Sequence, residues 1–89
     1  MLESQIENHL RKCCKVRNIF IRKLQWIGRR GAPDNIIAHD NEIIFVEVKK
    51  PGGDLDPHQR REIERMRDQG ARVEVIDSID DVDNLMESL

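Results

Sequence analysis

The sequence predicts an α/β fold, a mixed sheet flanked by helices with its elements in the order αβββαβα. Three observations carry this. Ile43 to Lys49 alternates with period two, and both of its faces start apolar, the pattern of a central strand covered on both sides. Strand, helix and strand follow one another toward the end of the chain, and a right-handed crossover returns such a unit to one sheet. Two further segments repeat apolar residues at helical spacing: Leu2, Ile6, Leu10 and Cys13 near the start, and Ile79, Val82, Leu85, Met86 and Leu89 at the end.

Each element follows from local chemistry. The first helix carries Arg11, Lys12 and Lys15 off its apolar stripe. Asn18 to Ile27 alternates loosely and reads as a strand. Gly28, Gly31 and Pro33 mark a loop, and Asn35 to Ala38 a short strand. Asp40-Asn41 is a tight hairpin turn into the strand Glu42 to Lys49, which Pro51-Gly52-Gly53 ends. Asp56 caps a helix with Pro57 at its first position; the helix runs to Gln69 and stops at Gly70. Arg72 to Ile76 is a strand, and Asp77 or Ser78 caps the last helix.

The 89 residues are expected to form one domain, 1–89. Aromatic residues make up 3% of the chain, which argues against a binder that stacks successive bases. The net charge of −2 argues against a polybasic binder. That total hides an uneven distribution. Residues 1–30 carry eight Lys/Arg against Glu3 and Glu7, whereas residues 71–89 carry Arg72 against six acids. The basic front can face a polyanion while the acidic tail faces away. There is no signal-peptide core and no apolar run long enough to span a membrane. Cys13 and Cys14 are adjacent and have no second pair, so they read as helix residues of a reducing cytoplasm.

The chemistry gathers in the middle of the chain. Glu47 and Lys49 fall on one face at the end of the clearest strand, and a carboxylate there is expensive unless paired or metal-bound. Asp34 follows Pro33 at the start of the neighbouring strand, which places it near Glu47 or Lys49 across the hairpin. Two close carboxylates repel, and a divalent cation relieves the repulsion; Mg²⁺ suits oxygen ligands with water and phosphate. Lys49 can neutralise a phosphoryl oxygen or orient the attacking water.

Pro33-Asp34 followed by Glu47-Val48-Lys49 resembles the PD-(D/E)xK nuclease signature. The wider pattern resembles the VRR-NUC family over nearly the whole chain: Arg30-Gly31-Ala32-Pro33-Asp34, Phe45 to Lys49, Pro51 to Leu55, Gln59, and Gly70 to Ile76. The resemblance implies a restriction-endonuclease-like fold and a Mg²⁺- or Mn²⁺-dependent nuclease acting on structured DNA, of the free-standing phage and prophage type. It implies Asp34, Glu47 and the backbone carbonyl of Val48 as metal ligands, Lys49 as the catalytic lysine and Gln59 as the helix glutamine. It also implies a glutamate on the first helix that reaches the metal; Glu7 is the better match, with Glu3 one turn earlier on the same face. Gln59 shares a helical face with Ile63 and Met66, pointing it at the sheet, although a first-turn Gln also bonds locally.

Arg29 and Arg30 stand where a scissile phosphate approaches, and Arg binds phosphate in bidentate fashion. Lys12, Lys15, Arg17, Arg22 and Lys23 can meet the duplex backbone without reading sequence. Trp26 can wedge into an opened junction or serve packing. His9, His39 and His58 show no metal-ligand spacing and read as surface residues. The expected activity is a homodimer cutting Holliday-type four-way junctions, without a nucleotide cofactor or a membrane. The alternatives are a flap or other branched-DNA nuclease on the same site, and a non-catalytic DNA-binding module.

Overall fold

The computed structural model describes residues 1–89. It contains α1 (Glu3–Val16), β1 (Phe20–Lys23), β2 (Asn35–His39), β3 (Glu42–Val48), α2 (Pro57–Asp68), β4 (Arg72–Ile76) and α3 (Ile79–Glu87). The sheet runs β1-β2-β3-β4, with β1/β2 and β2/β3 antiparallel and β3/β4 parallel. The α/β class and the mixed sheet are as the patterning predicts. No helix is long and apolar enough to cross a membrane.

Strand alternation divides the molecule into three layers. Ile37, Ile44, Val46, Val48 and Ile76 point to one face and pack on Ile6, Leu10 and Cys14 of α1 and Val82, Leu85 and Met86 of α3. Phe45, Glu47 and Val75 point to the other face, which α2 covers through Ile63 and Gln59. β3 lies in the middle of the sheet, but Ile43 at its start is 56% exposed, so only its later part is covered on both faces.

Several boundaries depend on hydrogen bonds. The first strand is four residues rather than ten. Asn18 adopts φ 56 and closes α1, with Ile19 N donating to Cys14 O at 2.8 Å. At the other end the ladder stops when Leu24 N donates to Asp34 O at 2.8 Å, because β2 begins at Asn35 and the preceding Pro33 has no N–H. The buried stripe of α1 is Ile6, Leu10 and Cys14; Leu2 is the exposed N-cap and Cys13 turns toward α3. Asp40 and Asn41 both take positive φ, as a two-residue hairpin requires. Ser78 caps α3, its Oγ accepting from Asp81 N at 3.0 Å.

The acidic tail does not face away from the basic front. α3 packs directly on α1, with Arg17 Nη1 donating to Met86 O at 2.6 Å and His9 Nε2 2.9 Å from Asp83 Oδ1. Two amphipathic helices on the same face of a small sheet share one apolar seam, and their opposite charges then flank it.

Candidate active site

The hairpin and α2 assemble the site. Register pairs Ile36 with Phe45, so Asp34 and Glu47 come together on the α2 side at the end of the β2–β3 ladder. Asp34 Oδ2 accepts from Val48 N at 3.1 Å, which fixes the loop carboxylate against the central strand. Glu47 is 1% exposed. Its Oε2 accepts from Gln59 Nε2 at 2.9 Å and lies 3.4 Å from Lys49 Nζ. Its Oε1 is buried with no partner. Burial, and then the Asp34 charge, push the Glu47 carboxyl up from 4.5 to about 7, although Lys49 opposes the shift.

An orphaned buried carboxylate oxygen beside a second carboxylate is the arrangement a divalent cation satisfies. Asp34 and Glu47 Oε1 are oxygen donors of the kind Mg²⁺ takes, and Val48 is held beside them through its N–H to Asp34. The residues therefore fit the metal that the sequence resemblance implies.

Gln59 reaches this position because its amide does two jobs. Asp56 Oδ1 accepts from Gln59 N at 2.9 Å, and Gln59 Oε1 accepts from Asp56 N at 3.1 Å, a reciprocal cap. The local bond and the contact with the sheet are thus both present, one on each end of the amide.

Asp34, Glu47, Val48, Lys49 and Gln59 are brought together; Glu7 is not. It lies at the same end of the sheet but on the α1 face, ion-paired to Lys23 and 3.4 Å from Arg11 Nε. Arg11 also donates to Asn35 Oδ1 at 2.6 Å, linking Glu7 to the residue after Asp34. Glu3 is exposed.

The basic residues divide between the two faces. Arg22 lies on the face of the carboxylates, over the Phe20 ring at 4.2 Å. Arg29 and Arg30 line an open groove of about 570 Å³ with Gly28, His58, Arg61 and Arg65. Lys23 points to the α1 face with Glu7, and Lys12 lines a groove with Asp83 and Glu87. Lys15 and Arg17 are exposed on or beside α1. Arg61, Arg65 and His58 were not legible as partners of the loop, since on the chain they are only charges on a helix.

Glu62 fastens the loop to α2. This buried carboxylate accepts from Trp26 Nε1 at 2.6 Å and lies 3.5 Å from both Arg29 and Arg65. Trp26 therefore packs against α2. Gly31, at φ 95, allows the close approach: a Cβ there would stand 2.6 Å from His58 O.

The histidines are not all isolated. His9 meets Cys13, one turn along α1, and Asp83 of α3. The His9–Cys13 spacing was visible in the sequence, but Asp83 is brought in only by the packing of α3.

Comparison with known proteins agrees with the fold. The VRR-NUC domain family model matches residues 1–80. "Putative nuclease p44" of Acyrthosiphon pisum secondary endosymbiont phage 1 is 44% identical over 81 residues, covering 88% of this chain and 85% of its own. A solved structure described as a VRR_NUC domain superposes with a TM-score of 0.88 at 39% identity, covering 96% of this chain and 94% of that one. On the matched length, the identity and the shared architecture, this chain belongs to the VRR-NUC domain family.

Proposed function

We propose that the chain is a divalent-metal-dependent DNA endonuclease that hydrolyses phosphodiester bonds of structured DNA. The observation that carries this is the buried, unpartnered Glu47 Oε1 beside Asp34, with Lys49 Nζ 3.4 Å from the other Glu47 oxygen. Asp34, Glu47 and the Val48 carbonyl would hold Mg²⁺ or Mn²⁺, which when bound supplies positive charge that favours hydroxide over water and offsets charge on the phosphate. Lys49 donates to a phosphoryl oxygen or to the attacking water. Gln59 holds the Glu47 carboxylate in orientation. Glu7 acts at one remove, by holding Arg11 and Lys23 beside Asn35.

The DNA backbone lies over Arg22, Arg29, Arg30, Arg61 and Arg65, on the face that carries the carboxylates. The finer reading is a homodimer acting on four-way junctions. One subunit measures 33 × 32 × 21 Å and offers one site, and a two-fold dimer matches a two-fold substrate. Phe20, Ala38 and Ile43 align across the sheet, and the outer two are 48% and 56% exposed, a row a second copy would cover. The free thiols Cys13 and Cys14 favour a cytoplasmic setting.

The test is Glu47→Ala with Mg²⁺ on matched four-way and flap substrates. Loss of cleavage with retained binding is expected; cleavage that survives refutes the assignment. Preference for the flap would replace the junction reading and leave the active site standing. Sedimentation of active protein as a monomer would remove the dimer.

A further inference from the structure

We propose that His9, Cys13 and Asp83 form a second metal site, selective for zinc-class ions, that clamps α1 to α3. The three ligand atoms all lie within 4.8 Å of one another, away from the Asp34–Glu47 site and on the other face of the sheet. His9 and Cys13 are one helical turn apart, so their side chains meet on one side of α1. Asp83 reaches them from α3.

The contacts distinguish this group from a proton relay. Such a relay uses the two ring nitrogens for different partners, one toward the thiol and one toward the carboxylate. Here both contacts fall on the same nitrogen: His9 Nε2 lies 3.6 Å from Cys13 Sγ and 2.9 Å from Asp83 Oδ1. One nitrogen cannot donate to the carboxylate and accept from the thiol at once. Three ligand atoms of mixed type within 4.8 Å of one another suit a shared cation.

Tetrahedral zinc geometry gives sulfur–nitrogen separations of about 3.6 Å and nitrogen–oxygen separations of about 3.4 Å, from bond lengths of about 2.3 Å to sulfur and 2.1 Å to nitrogen or oxygen. The Cys13–His9 separation of 3.6 Å already matches. The His9–Asp83 pair opens from 2.9 Å by about half an ångström, which the half-exposed Asp83 side chain can give.

Asp83 and Glu87 in this groove are balanced by Lys12 and Arg17, so ligand chemistry rather than local charge selects the ion. Glu87, one turn beyond Asp83, lines the same groove, and Arg17 is engaged with the Met86 carbonyl. Lys12, the other cation of the groove, is exposed. A thiolate with an imidazole selects zinc-class ions, whereas the all-oxygen set of Asp34 and Glu47 suits magnesium. The two sites therefore separate by metal chemistry. Three protein ligands leave one position for water. On binding, the Cys13 S–H proton leaves to solvent, the sulfur lone pair forms the metal bond, and neutral His9 keeps its proton on Nδ1.

The test titrates the whole chain with Co²⁺, a coloured stand-in for zinc, with Mg²⁺ in excess. One equivalent is expected to give thiolate-to-cobalt charge-transfer absorption, lost in Cys13→Ser and Asp83→Asn and bleached by Zn²⁺. Glu47→Gln, which alters the other site, keeps the band. A second measurement needs no variant: Zn²⁺ slows alkylation of Cys13 by about tenfold, because a metal-bound thiolate is not free to attack. Absence of the band, its persistence in Cys13→Ser, or an unchanged alkylation rate at Cys13 overturns the proposal.

Discussion

Gln59 joins the first turn of α2 to Glu47 through a single amide. Its Nε2 donates to Glu47 Oε2 at 2.9 Å while its Oε1 accepts from Asp56 N at 3.1 Å. The cap therefore orients the amide, and the amide orients the carboxylate. Gln59→Glu keeps an acceptor for the cap but removes the donor and adds a third negative charge. Gln59→Ala removes both and costs about 1 kcal/mol of stability. Both variants are expected to lower cleavage about tenfold or more, whereas only Gln59→Ala loses the side-chain half of the cap, the bond from Asp56 N; the bond from Gln59 N to Asp56 Oδ1 stays in both. Melting curves beside cleavage rates separate the two effects.

Lys49→Ala is expected to lower the cleavage rate by about 10² to 10³ with little change in DNA binding, since its ammonium acts on charge that develops during reaction. Single-turnover rates and a binding isotherm check this. A proportional loss of affinity would make Lys49 a simple backbone contact.

Glu47 makes the metal-free fold sensitive to pH. Burial, and next Asp34, raise its carboxyl to about 7 in the fold, against an ordinary 4.5. Below 4.5 the group is protonated folded or unfolded, and nothing is lost. Between 4.5 and 7 the unfolded chain ionises while the fold retains its proton, so stability falls as pH rises. The ceiling of the loss is about 3 kcal/mol. Denaturant melts in chelator are expected to show this slope, with Glu47→Gln flattening it and Mg²⁺ restoring stability at the upper end. The groups facing Glu47 are Asp34, Lys49 and Gln59.

The arginine groove predicts a salt signature. Arg30→Ala and Arg61→Ala are each expected to lower the salt slope of DNA binding by about 1, because each removes one phosphate contact. Lys12→Ala, in the groove that also holds Asp83 and Glu87, is expected to leave it unchanged. Binding measured across a salt series decides between them.

Gly31→Ala is expected to destabilise the protein by about 2 kcal/mol or more, since its φ of 95 and the 2.6 Å approach to His58 O both oppose a Cβ. The loop and α2 then separate, and binding to the arginine groove weakens with stability. A substitution at Gly28, whose Cβ direction is open, separates backbone strain from the clash.

The sequence alone determined what depends on residues close together along the chain. Period-two alternation marked β3 and put Glu47 and Lys49 on one face; Asp56-Pro57 and Gly70 bounded α2; Pro33-Asp34 and Glu47-Val48-Lys49 located the carboxylates. Side-chain direction in a strand and capping at a helix end are short-range effects, so they survive without the fold. Tertiary structure decided the rest. It halted the first strand at Lys23, where the ladder runs out of partners. It placed Glu7 across the sheet from Glu47, and set Arg61 and Arg65 beside the loop arginines. It also turned the acidic tail onto α1, where Asp83 meets His9 and Cys13. Those relationships come from which apolar faces bury one another, and a buried face sets the position of every side chain at its rim.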